Sequence, residues 1–90
     1  MSFGRNPHVA KAEAEEQKAR SAKDPPACEL AWRECARQWE RAAERETDDR
    51  RRQQYAGRAE AARANADVAR ASEPEPIQRL IAKLKPGPPN

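Results

Sequence analysis

The chain has 90 residues, of which 37% are charged, and 18 Lys and Arg stand against 15 Asp and Glu for a net charge of +3. Nineteen of its hydrophobic residues are alanine, so few larger side chains remain for a core, and two Val and two Ile leave almost nothing for strands. No run of about 18 apolar residues is present to cross a membrane, no secretory signal is readable at the start, and two cysteines cannot staple a disulfide scaffold. The expectation is an all-α protein: a small three-helix unit built on an antiparallel αα-hairpin, with a short C-terminal amphipathic helix.

After an N-terminal tail over residues 1–6, Asn6-Pro7 supplies an N-cap followed by proline in the first turn. Ala, Glu, Gln, Lys and Arg dominate from Pro7 to about Lys23, and Lys11 with Glu15 and Glu16 with Arg20 are i,i+4 pairs. The apolar face of this first helix, Val9, Ala12, Ala19 and Ala22, is thin and interrupted by Glu16. Asp24-Pro25-Pro26 ends it and caps a second helix, expected over about 25–46. The seam of that helix is Cys28, Trp32, Cys35, Trp39 and Ala42, spaced 4, 3, 4 and 3. Thr47-Asp48-Asp49 offers the next cap, and a third helix over about 48–71 repeats the spacing with Tyr55, Ala59, Ala62, Ala66 and Ala69.

The two seams fit one another. A short turn folds the helices antiparallel, with Trp39 at the level of Tyr55 and Trp32 near Ala62, bulky rings against small residues. The first helix is expected across the open side. The helical domain therefore spans residues 7–71.

The stretch Trp32-Arg-Glu-Cys-Ala-Arg-Gln-Trp-Glu-Arg-Ala-Ala, together with Tyr55-Ala-Gly-Arg-Ala-Glu-Ala-Ala-Arg, resembles tetratricopeptide-type hairpins. It is also similar to the microtubule-interacting-and-transport domain, a three-helix relative in which Tyr-x-x-Arg-Ala-Glu recurs on the last helix. The usual Leu residues are absent. The resemblance covers about residues 9–70 and implies a module that binds peptides or helices rather than an enzyme.

A polar linker over residues 72–76 leads to an amphipathic segment over 77–85 and a proline-rich tail over 86–90. Ile77, Leu80, Ile81 and Leu84 sit at i, i+3, i+4 and i+7, with Arg79 and Lys83 elsewhere on the wheel. At about nine residues the segment is too short to hold a helix alone in water, so its apolar face calls for a docking site. That site is either the alanine-rich hairpin of the same chain or the groove of a partner. A membrane surface is the weaker option, since the segment has few basic charges and no aromatic.

Chemistry finds little support. Cys28 and Cys35 lie about 10 Å apart along one helix, too far for a disulfide, and read as small core residues of a reducing, cytoplasmic compartment. His8 is the single histidine, so no metal site is expected, nor any cofactor. No phosphate loop or nucleophile–base pair stands out, so no catalytic residue is assigned. Arg33, Arg37, Arg41 and Arg45 form a ridge, and Arg50, Arg51 and Arg52 form a run that could contact nucleic acid. Interleaved acids, including the expected pairs Glu29 with Arg33 and Arg63 with Asp67, favour a solvated, salt-laced face. The functional expectation is a non-catalytic interaction or adaptor protein with an unidentified protein partner or as a homodimer. The alternatives are a nucleic-acid-associated basic protein and a structural subunit of a larger assembly. The Ala- and Arg-rich composition suggests a GC-rich, bacterial genome.

Overall fold

Each of the three helices begins on a side chain that caps it. In the computed structural model, which describes residues 6–73, these are α1 (Pro7–Ser21), α2 (Pro25–Arg45) and α3 (Asp49–Ala71). Asn6 Oδ1 accepts from the His8 amide at 3.1 Å, Asp24 Oδ1 from Ala27 at 2.9 Å, and Asp48 Oδ2 from Arg51 at 2.9 Å. Proline follows the first two caps, where the missing amide hydrogen would have had no helical partner. α1 stops at Ser21, two residues short of the sequence expectation. The Ser21 hydroxyl donates back to the Gln17 carbonyl at 3.0 Å, and Ala22 is already extended (φ −66°, ψ 139°).

The seams pack as their spacing predicts. Trp32, Cys35, Trp39 and Ala42 of α2 are buried against Ala59, Ala62 and Ala66 of α3 and Ala12 and Ala19 of α1. Tyr55 meets Trp39 with ring centroids 5.5 Å apart and planes tilted by 31°, within the range where aromatic pairs add to simple area burial. Small residues let the backbones close in. Ala12 is fully buried, and the Cys35 thiol donates to its carbonyl at 3.4 Å.

α1 lies along α2, as does α3, while α1 and α3 scarcely meet. The central helix is thus shared, and the first helix flanks it rather than roofing the hairpin. Two long-range polar contacts fasten α1 at its start. Asn6 Nδ2 donates to the Ala42 carbonyl at 2.9 Å, and His8 Nδ1 lies 3.0 Å from Gln38 Oε1. Ion pairs fasten the hairpin instead. Arg33 holds Glu29 (2.8 Å) and reaches across to Asp67 (3.2 Å), Arg63 reaches across to Glu40, and Arg70 lies 3.7 Å from Glu29. The expected local pair of Arg63 with Asp67 does not form, because both partners find better-placed opposite charges on α2. Lys18, rather than Lys11, is the partner of Glu15 (3.4 Å). These pairs are exposed at one end or both, so solvent screening leaves each a small share in stability, and their role is to set register more than to hold the helices together.

Candidate interaction cleft

Because α1 and α3 flank α2 without closing on each other, the aromatic side of α2 is overlain by arginine side chains rather than by a third apolar helix face. Arg20 of α1 places its guanidinium 5.2 Å from the centroid of Trp32, and Arg58 of α3 does the same over Trp39 at 5.0 Å. Arg20 is oriented by Glu16, 2.7 Å away. Each cation–π contact is worth about 0.5–1 kcal/mol in a partly solvated setting, less than the burial of an aliphatic side chain on the same ring. Such a cover is displaceable.

Toward the end of α3 the cleft opens into a cavity of about 390 Å³, with Arg20 still part of its lining. Its apolar lining comes from Ala22 and Pro25 around the α1–α2 turn, Cys28 and Trp32 on α2, and Val68 and Ala69 on α3; Asn65 and Ser72 also line it. Val68 is 65% exposed there. Arg20, Lys23 and Asp24 are its charged lining, two positive and one negative.

The two cysteines sit at different depths of this cleft. Cys28 is half-buried in its wall, whereas Cys35 is fully buried below it. Burial, reinforced by the negative charge of Glu16, pushes the Cys35 thiol up to about 11, so it stays neutral and unreactive near pH 7. The two thiols are both free. Among the described residues no three His, Cys, Asp or Glu side chains gather as metal ligands.

At the exit of α3, the Glu73 carboxyl abuts that of Glu29. A hydrogen bond from Glu73, followed by one from Arg33, holds Glu29 below the ordinary carboxylate range. The same contact with Glu29, helped by partial burial, pushes Glu73 up. Glu73 Oε2 is buried and has no donor facing it while both carboxyls are ionised.

A second apolar feature lies on the other side of α2. Leu30, 72% exposed, borders a groove of about 660 Å³ with Ala22, Ala27 and Ala31.

The arginine run does not gather into a basic face. Arg51 lies 3.7 Å from Glu46 and 3.9 Å from Asp48, and Arg52 pairs with Asp49, so two of the three charges are locally matched. On the ridge, Arg37 is taken up by Glu34 at 2.7 Å. The residues assigned from sequence to partner binding, Ile77, Arg79, Leu80, Ile81, Lys83 and Leu84, lie outside the described residues. Sequence reasoning gives Trp32 and Cys28 to the core and assigns no role to Val68. Their convergence depends on which side of α2 receives α1, and no spacing within one helix reports that. No described helix is long and apolar enough to cross a membrane. No family model matches the chain, and neither a curated protein nor a solved structure matches it.

Proposed function

We propose that this protein is a small non-catalytic interaction or adaptor protein, in which a three-helix unit presents a cleft and the segment 77–85 serves as a docking element. The observation that carries the reading is the cleft itself. Trp32, Cys28 and Val68 line a cavity of about 390 Å³ beside a partial cover of arginine, a concave apolar site with a few polar groups at its rim. The resemblance to tetratricopeptide-type hairpins, which implies helix or peptide binding, agrees with it. Ile77, Leu80, Ile81 and Leu84 supply the complementary half, an apolar stripe with i, i+3, i+4 and i+7 anchors. Arg79 and Lys83 lie elsewhere on the wheel and favour acidic neighbours on a partner.

Affinity capture from the source cell with the full chain and with its Leu80→Asp/Leu84→Asp variant tests this. One partner should be retained by the first and lost by the second. Equal recovery by both removes the segment from the reading.

The nucleic-acid alternative would use Arg50, Arg51 and Arg52. It requires binding that weakens steeply with salt and on changing all three to Ala, against which stand the acids already paired with Arg51 and Arg52.

A further inference from the structure

We infer that the cleft beside Trp32 is the docking site of the chain's own residues 77–84, so that the protein carries an internal occupant of its interaction surface. The inference rests on the interaction reading above and specifies its cis form. Three observations lead to it.

The chain leaves the described unit at the cleft. Val68, Ala69 and Ser72 all line the cavity, so the polypeptide that follows Glu73 starts beside the site. Residues 73–76 can span about 13 Å when extended, enough to reverse direction over the end of α3.

The dimensions agree as well. Along α3 the cavity runs from Asn65 to Ser72, about 10 Å of helix. Residues 77–84 in helical form would measure about 12 Å. The segment would therefore run antiparallel to the last two turns of α3, over Val68 and against Trp32.

The chemistry matches in the same way. Ile77, Leu80, Ile81 and Leu84 need an apolar cover, and Val68 is exposed on a wall that lacks one. On a helical wheel Arg79 and Lys83 fall away from this stripe, so a helix seated by its apolar face would keep them clear of Arg20 and Lys23 in the cavity lining. Tethering through so short a linker gives a local concentration of order millimolar, which a free partner must exceed or displace.

Cys28 reports occupancy directly, because it lies in the cleft wall while Cys35 is buried beneath. The experiment compares modification by dithiobis(nitrobenzoate) in the full chain and in Leu80→Asp/Leu84→Asp. Cys28 should react about tenfold or more faster in the variant, with Cys35 silent in both and circular dichroism unchanged. The slow rate of the parent chain should not vary with protein concentration. Equal Cys28 rates overturn the inference, and so does protection that grows with concentration, which assigns the cleft to a second copy. Where the variant also exposes Cys35 and has lost its fold, Ile81→Cys decides. Mild oxidation should link it to Cys28 within one chain, and links only between chains, or none, overturn the proposal. Equal Cys28 rates combined with partner capture that depends on Leu80 and Leu84 would discard the cis site while leaving the interaction reading intact.

Discussion

Asn6 performs two tasks that substitution can separate. Its Oδ1 caps α1 through the His8 amide, and its Nδ2 donates to the Ala42 carbonyl, the contact that pins the start of α1 to the end of α2. Asn6→Ala removes both. The lost cap costs about 1 kcal/mol and the lost buried hydrogen bond about another 1 kcal/mol. No orphaned acceptor is left to add to this, since the Ala42 carbonyl also accepts from the Glu46 amide at 3.1 Å. The sum, about 2 kcal/mol, is a large share of the roughly 3–10 kcal/mol available to a unit of this size. It should lower Tm by about 10 °C.

Asn6→Asp dissects the pair. The carboxylate keeps the cap and gains from the helix dipole, but it places a second acceptor against the Ala42 carbonyl in a buried position. The Asn6→Asp variant should therefore be no more stable than Asn6→Ala near pH 7, and it should recover as acid protonates the new carboxylate and restores a donor. Thermal and urea unfolding followed at 222 nm, at pH 7 and pH 4, measure both effects. A loss below about 0.5 kcal/mol for Asn6→Ala, or an Asn6→Asp variant as stable as the parent at pH 7, would refute the assignment of Asn6 as the α1–α2 fastener.

The sequence exposes what is local. Asn6, Asp24 and Asp48 announce helix starts because each cap is satisfied within three residues, and the 4, 3, 4, 3 seams of α2 and α3 are one-dimensional patterns whose mutual fit follows from a short turn. What lies between helices is not written that way. Asn6 reads as a cap and no more, since its second partner is 36 positions distant. Asp67 sits four residues from Arg63, yet it answers Arg33 on the neighbouring helix, because antiparallel packing offers a partner that local spacing does not count. Glu16 and Arg20 are legible as an i,i+4 pair, but not that the pair aims a guanidinium over Trp32. The cleft has the same origin. Ala12 and Ala19 could have faced either flank of α2, and the choice of the flank carrying Ala31 and Cys35 leaves the aromatic side to be covered by Arg20 and Arg58.

Two further perturbations follow from individual residues. Gly57 lies exposed in the body of α3, and a Cβ built there meets nothing within 4 Å; Gly57→Ala should therefore stabilise the unit by up to about 1 kcal/mol through backbone entropy alone, seen as a rise in the urea midpoint at constant m-value, whereas a loss would mean that α3 is not regular at that point. The Glu29–Glu73 contact makes a pH-dependent prediction whose sign is fixed. Glu29, held below 4.5, contributes stability that is present above that value and is lost as acid protonates it through its folded pKa. Glu73, pushed above 4.5, works the other way: its hydrogen bond to Glu29 exists while it is protonated, and its contribution is lost as pH rises through its folded pKa and two carboxylates come to face each other. Glu73→Gln keeps the donor and removes the second charge. The variant should thus be more stable than the parent at pH 7, and the difference should shrink as pH falls through the raised pKa of Glu73, where the parent regains its own proton. Paired denaturation curves between pH 4 and pH 7 read this directly. A difference that stays constant across that range, or widens toward acid, would show that Glu73 does not share its proton with Glu29 and that the end of α3 is held by Arg70 and Arg33 without it.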